Sequence, residues 1–495
     1  MRQLKIAFGL FLLFHLSKCC VFPRDEDEFR TTCQLIESRH FICEEHKVVT
    51  EDGYILTLHR IVHPNASSAH LEPVLLGHGL GASSSCWIFA APGGDAKPIG
   101  TQSFKGSEEN NLGFVLANQG WDTWLANFRG TRYSQQHVKL NNGPGKYWRF
   151  SFDEMIKYDT PAFIHFILNK TGRATLAYIG HSQGTTIMTG FLSTNPGYGK
   201  VIKPYIALAP VAYVENTSAA IRLLADIPNA VSLLSLYDGP VDKDHALIKL
   251  ISSLACNPLD SLCSGFFLLF GGINPNSLNG RVYVYIRQQD TVSSQDLVHY
   301  GQNIADRNFE FYNPNPVGIL SPVGLISILT PISMTSLQPK VAAYPLEDII
   351  SLDIHLIASC NDYLAVSEDI DRLVRKLKVK PKLHCYLKDL LWNHFDFLIA
   401  CDLWKLNGLV VDILESYRTG HWKSSLGYSS KEEEIESLCR SSCPATNTIT
   451  NIFGSNTPRI VDGLNDVLGG LGSSVLRSAN LKTLTSAIAP ALAIF

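Results

Sequence analysis

The stretch Ile179-Gly180-His181-Ser182-Gln183-Gly184-Thr185-Thr186 poses one question: whether Ser182 attacks a substrate or decorates a turn. Glycines two before and two after a serine let a strand turn sharply into a helix, because a Cβ at either place would collide with neighbouring backbone. The chain holds no other G-x-S-x-G. Such a match also arises by chance, so the segments on either side must decide between a nucleophile and a structural turn.

Working outward, Ala174 to Ile179 reads as a strand that runs into Ser182. Before it, Ser151 to Leu168 reads as a helix, with Phe152, Met155, Ile156, Ala162, Phe163, Phe166 and Ile167 at helical spacing. The run from Asp52 to Ile61 starts at a turn and then alternates, as in a hairpin of half-buried strands. Pro73 to Leu76 is a short buried strand ending at Gly77-His78-Gly79-Leu80-Gly81, and Trp121 to Asn127 is another, followed by Phe128-Arg129-Gly130. Strands alternating with helices imply an α/β fold with a mostly parallel, doubly wound sheet, where chemistry gathers at the carboxyl ends of the strands. Ser182 stands at such an end.

The alternation resumes with Tyr205 to Pro210, breaks between about Val211 and Leu346, and returns at Asp353 to Ala358. The interruption is rich in apolar, loop-punctuated runs such as Gly265 to Phe270 and Val317 to Ile332. It suits a largely helical cap over the strand ends, the alternative being an independent helical domain with its own core. The expected organisation is a signal peptide at 1–20, a core at 21–210, the cap or lid at 211–346, the rest of the core at 347–419 and an extension of unassigned role at 420–495. The extension carries the charged stretch Lys431-Glu432-Glu433-Glu434, and its apolar end from Ala487 to Phe495 is too short to span a bilayer.

Composition sets the compartment and excludes some partners. Of 495 residues 45% are hydrophobic and 18% charged, and a net charge of −3 offers no basic face for nucleic acid. The basic start Met1-Arg2-Gln3-Leu4-Lys5 precedes the apolar run Ile6 to Phe14, the pattern of a secretory signal with cleavage near Ser17 to Cys20. No transmembrane segment is expected after its removal. Twelve cysteines suit an oxidising compartment, and Asn65, Asn169 and Asn216 head glycosylation sequons. Cys256 and Cys263 enclose a Pro-containing turn and are the first choice for a disulfide.

A serine hydroxyl is a poor nucleophile at neutral pH and needs a base to take its proton and an acid to orient that base. Asp362 lies a few residues beyond the strand Asp353 to Ala358, on a loop at the same end of the sheet as Ser182, and His394 follows in Leu391-Trp392-Asn393-His394-Phe395-Asp396-Phe397. Nucleophile, acid, histidine is the chain order of α/β hydrolases. Asp353, Asp369 and Asp396 are rival acids, and a structural histidine in an aromatic cluster is the alternative for His394. A tetrahedral intermediate also needs oxyanion donors. The backbone N–H groups of Gln183, after the serine, and of Leu80, in the loop after an early strand, stand in the expected places.

From about Val48 to Tyr417 the chain resembles the acid lipase family, the gastric and lysosomal lipases with many insect relatives. The carrying segments are Thr50-Glu51-Asp52-Gly53-Tyr54-Ile55-Leu56, His78-Gly79-Leu80, Asn127-Phe128-Arg129-Gly130, Phe150 to Met155, Gly180 to Thr186, Asn361-Asp362-Tyr363-Leu364-Ala365 and Asn393-His394-Phe395-Asp396-Phe397. The resemblance implies an α/β-hydrolase fold, with Ser182 as nucleophile, Asp362 as acid, His394 as base, and Leu80 with Gln183 as oxyanion donors. It also implies a cap disulfide at about Cys256 and Cys263, and hydrolysis of triacylglycerols or cholesteryl esters at a lipid–water interface without metal or organic cofactor. Departures from the family are Gly81, Phe128 and the approach Ala358-Ser359-Cys360 to Asp362. The expected activity is that of a secreted or lysosomal serine lipase working through an acyl-enzyme. The rivals are an esterase for small soluble esters and an inactive lipid-binding relative.

Overall fold

The computed structural model describes residues 25–66, 71–101, 104–217, 237–242, 271–272, 274, 281–314 and 341–444. The expected signal peptide, the pair Cys256 and Cys263, the runs Gly265 to Phe270 and Val317 to Ile332, and the tail beyond 444 lie outside the described residues.

One ten-stranded sheet organises the described chain. Its strands are β1 (Ile42–Val49), β2 (Tyr54–Val62), β3 (Pro73–Gly77), β4 (Asp122–Asn127), β5 (Gln136–His137), β6 (Leu176–His181), β7 (Ile202–Leu208), β10 (Ile354–Ala358), β11 (Leu383–Leu387) and β12 (Cys439–Arg440); β8 (Pro240–Val241) and β9 (Val292–Ser293) form a separate pair. The order is β1-β2-β4-β3-β6-β7-β10-β11-β12, with β5 beside the start of β2. From β4 to β11 all neighbours run parallel, and the antiparallel pairs lie toward the two edges.

Burial follows from this order. Every residue of β3, β4 and β6 is buried, as a parallel strand covered on both faces requires. Alternation divides the side chains between two apolar layers, Val74, Leu76 and Ile179 in one, Leu75 and Tyr178 in the other. The hairpin expected around Asp52 is present, since β1 pairs antiparallel with β2. Only β1 is half-buried; β2 is buried nearly throughout, because it lies inside the sheet with Ile61 in one layer and Leu56 and Leu58 in the other.

The helix expected from Ser151 begins with a capping box, Ser151 Oγ accepting from the Asp153 N–H and the Glu154 carboxylate accepting from the Ser151 N–H. Met155–Asp159 then forms a π-helical turn before the α-helix Thr160–Thr171. The extra residue of the wider turn brings Asp159 to the fully buried Arg129 guanidinium at 2.7 Å, and Asp52 of the hairpin turn closes on the other side at 2.7 Å. Arg129 also stacks over the Tyr54 ring at 3.9 Å. One cation thus joins the hairpin turn, the loop after β4 and the helix, which accounts for Asp52, Tyr54 and Arg129 standing together in the quoted segments.

The described parts of 211–346 share the core. Val284, Tyr285 and Ile304 belong to one apolar layer, Phe309, Tyr344 and Leu346 to the other. Residues 420–444 also join it. The helix Lys431–Leu438, capped by Ser430, leads into β12, which pairs antiparallel with β11. Disulfides connect Cys33 to Cys43, Cys360 to Cys443 and Cys385 to Cys439.

Arg129 leads to a stability prediction. Arg129→Met should destabilise the protein by about 3–5 kcal/mol, because the wholly buried Asp159 loses its counter-charge. Adding Asp159→Asn should restore part of that loss. Urea unfolding of both variants measures it, and a double variant no more stable than the single one would contradict this account of the pair.

Candidate active site

Ser182 follows directly on β6 and caps the helix Gln183–Thr194 with φ 54° and ψ −121°, a conformation that side-chain-bearing residues seldom adopt. Its N–H donates to the Leu208 carbonyl at 3.1 Å, and its own carbonyl accepts from the Thr185 N–H at 2.7 Å. The turn is tight enough that a Cβ on Gly184 would lie 2.2 Å from the Gly77 carbonyl oxygen. A Cβ on Gly79 would lie 3.0 Å from that of Ser182, so the glycine lets the loop after β3 close on the serine.

The carboxyl ends of β6, β10 and β11 bring Ser182, Asp362 and His394 into one row. Ser182 Oγ is 2.7 Å from His394 Nε2, and His394 Nδ1 is 2.8 Å and 3.0 Å from the two Asp362 oxygens. All three residues are buried. Asp362 Oδ1 also accepts from the N–H groups of Leu364 and Ala365, each at 2.8 Å, which fixes the carboxylate toward the imidazole. The rival acids are engaged elsewhere: Asp369 holds Asn216, Asp396 accepts from the Asn393 N–H and Asn274, and Asp353 faces Lys382.

Buried polar groups support the row. The Gly271 carbonyl accepts from both the Tyr363 N–H at 3.2 Å and the His394 N–H at 3.0 Å, tying the acid loop to the base loop. Asn361 Nδ2 donates to the Leu391 carbonyl at 2.8 Å, and Ser359 Oγ donates to that of Trp392. His181 Nε2 donates to the His394 carbonyl at 3.0 Å, and burial, helped by the nearby His394, pushes the His181 pKa well below its usual range. The neutral ring is therefore a donor to the base segment. His78 is wholly buried, which lowers its pKa to about 4. Its Nδ1 donates to the Gly79 carbonyl and its Nε2 accepts from the Phe128 N–H, so it fastens the loop bearing Leu80 to the loop after β4. Phe128 packs edge-on against this ring at 5.1 Å.

Leu80 is 38% exposed at the rim, while Gln183 is buried. The Gln183 side chain donates through Nε2 to Asp296, which also accepts from the Phe152 N–H at 2.9 Å. Asp296 belongs to the helix Ser294–Asp306 inside the 211–346 insertion, and sequence spacing carried no sign of it. Burial drives its pKa up to about 7 against the two hydrogen bonds, with Glu154 and Asp153 adding to the rise. Among the described residues, one group of His, Cys, Asp and Glu atoms is close enough to hold a cation: Cys33, Glu45 and His59. Cys33 is bridged to Cys43, which leaves two donors. Asn65, Asn169 and Asn216 are exposed, and the Asn216 amide is held by Asp369 at 2.7 Å.

Sheet and elbow define the class, an α/β hydrolase. Residues 72–220 match the family described as the alpha/beta hydrolase fold, and residues 32–91 match the partial alpha/beta-hydrolase lipase region. Gastric triacylglycerol lipase of Mus musculus is 34% identical over 387 residues, covering 77% of this chain and 90% of its own. Lipase member K of Homo sapiens is 38% identical over 279 residues, covering 55% and 66%. A putative lysosomal acid lipase/cholesteryl ester hydrolase of Crotalus adamanteus is 32% identical over 389 residues, covering 76% and 88%. The chain belongs to the acid lipase family.

Asp296 yields a pH prediction. Its folded pKa of about 7 lies above the ordinary carboxyl value near 3.9, so the native state holds a proton that the unfolded chain releases. The stability this contributes is full below about pH 4 and is lost as pH rises through about 7. Relative to Asp296→Asn, the wild type should therefore lose stability with rising pH in that window, by at most about 1.4 kcal/mol per pH unit. Urea unfolding at several pH values reads this directly; a difference independent of pH would contradict it.

Proposed function

We propose that this chain is a secreted or lysosomal lipase that hydrolyses esters of neutral lipids, triacylglycerols or cholesteryl esters, through an acyl-enzyme on Ser182. The observation that carries the mechanism is the 2.7 Å contact between Ser182 Oγ and His394 Nε2, with Asp362 behind the imidazole. In acylation the Ser182 proton passes to His394 Nε2 while Oγ bonds to the ester carbonyl carbon. Collapse of the tetrahedral intermediate breaks the bond to the alkoxy oxygen, and the imidazolium gives that oxygen its proton. In deacylation water attacks, its proton goes to His394, and the fatty acid leaves as Ser182 recovers a proton. Asp362 accepts from His394 Nδ1–H and keeps the tautomer in which Nε2 is the base. The N–H groups of Leu80 and Gln183 are the proposed oxyanion donors.

The substrate class is supported by the relatives, one a gastric triacylglycerol lipase and one a putative lysosomal acid lipase/cholesteryl ester hydrolase. The same names support a secreted or lysosomal setting. Residues 211–346 are proposed as a cap whose apolar runs meet the acyl chain or the lipid surface, where each methylene removed from water contributes about 0.8 kcal/mol. A disulfide between Cys256 and Cys263 and glycans on Asn65, Asn169 and Asn216 belong to the same proposal. Among the described residues, no helix is long and apolar enough to cross a membrane.

The test uses purified full-length protein on emulsified long-chain triacylglycerol, cholesteryl oleate and a soluble short-chain ester. Ser182→Ala and His394→Ala should each lower turnover by several orders of magnitude, and Asp362→Asn by roughly 10⁴-fold. Near-full activity in Asp362→Asn together with loss in Asp369→Asn would overturn the acid assignment. Wild-type preference for the soluble ester would favour an esterase of small esters.

A further inference from the structure

Two adjacent parallel strands carry the partners of Ser182. β10 ends at Ala358 and leads to Asp362, while β11 ends at Leu387 and leads to His394. Ile357 of β10 lies beside Cys385 of β11 in the register. The segment 420–444 attaches to both. At its root, Ser425 N–H donates to both Asp412 oxygens at 2.9 Å, fastening it to the helix Trp404–Thr419. At its far end β12 extends the sheet, with Tyr386 beside Arg440 and Leu387 beside Cys439, and the Lys388 N–H donates to the Leu438 carbonyl at 2.8 Å. Cys439 is bridged to Cys385 on β11, and four residues later Cys443 is bridged to Cys360, two residues before Asp362.

We propose that residues 420–444 are a covalent strap that positions the acid and base loops relative to each other, with Cys360 and Cys443 as positioning residues for the hydrolysis. The proposal rests on the triad reading above. The loops already meet on one side through Gly271, Asn361 and Ser359, and the strap holds them from the sheet edge. β12 and the Cys385–Cys439 bridge fix the strand that feeds the base loop. The Cys360–Cys443 bridge fixes the stretch Ser359-Cys360-Asn361 from which Asp362 projects. Because the same short arm makes both attachments, the reach of Cys439 to Cys443 limits how far one loop can move from the other. Cys360 and Cys443 are both partly exposed, so a dithiol in solution reaches the bridge and supplies the two electrons and two protons that turn it into two thiols.

The test compares the full chain as wild type, Cys360→Ala/Cys443→Ala and Ser182→Ala on a soluble short-chain ester, recording kcat and KM. Small misplacement of reacting groups lowers rates by about 10- to 100-fold. The double cysteine variant should lose kcat in that range with KM changed less than about twofold. A lower melting temperature with unchanged kcat would reduce the bridge to a structural staple and overturn the proposal. Should the variant fail to fold, native wild type opened stepwise with dithiothreitol, with alkylation of Cys443 counted by mass, decides the matter: kcat should fall in step with opening, and full kcat with the bridge open overturns the strap. Activity surviving in Ser182→Ala would instead bring down the triad reading itself.

Discussion

The structure depends on one strained residue. Ser182, at φ 54°, stands on a turn that costs on the order of 1–3 kcal/mol and persists only where the surroundings over-determine it. Its N–H and carbonyl are both bonded, and the close passage of Gly184 under Gly77 locks the first turn of the following helix to β3. That passage sets the distance between β3 and the helix, and hence where the loop bearing Leu80 can lie relative to the serine. The flanking β3 and β6 are buried throughout, so the elbow cannot relax by shifting a strand without opening the core.

Around the elbow, geometry is held by buried polar groups more than by apolar packing alone. His78 and His181 are both neutral because burial disfavours their charged forms, and each uses its ring to hold backbone beside Ser182 or His394. Asp296 holds the residue after the nucleophile from within residues 211–346, and Tyr300 of the same helix donates to Thr186, so that helix is coupled to the elbow through buried polar groups. A buried polar network of this kind is specific when satisfied and disruptive when any member is lost.

Much of this is legible in the sequence. The strand before Ser182, the loop after β3, and the order serine, aspartate, histidine at strand ends are local patterns, and the sheet brings those residues together. What sequence missed is non-local or too short for a period to register. The apolar positions Phe152 and Ala162 straddle the π-helical turn, where the spacing changes without leaving the helical pattern. The two-residue β12 is too short to alternate, and cysteine connectivity cannot be deduced from spacing, so residues 420–444 gave no hint that they complete the sheet. Asp296 lies more than a hundred residues from the serine, within a segment that the sequence marks by its apolar runs, so its contact with Gln183 has no local signal.

The central claim is that Ser182 is a nucleophile made reactive by His394, and a long-chain alkyl fluorophosphonate, which bonds to the serine oxygen with loss of fluoride, tests it most directly. Reaction with the full-length protein followed by intact mass and peptide mapping should show one adduct per chain on the peptide containing Ser182, with labelling strongly slowed in His394→Ala. Absence of an adduct, or labelling at another residue at an equal rate in both proteins, would contradict the account.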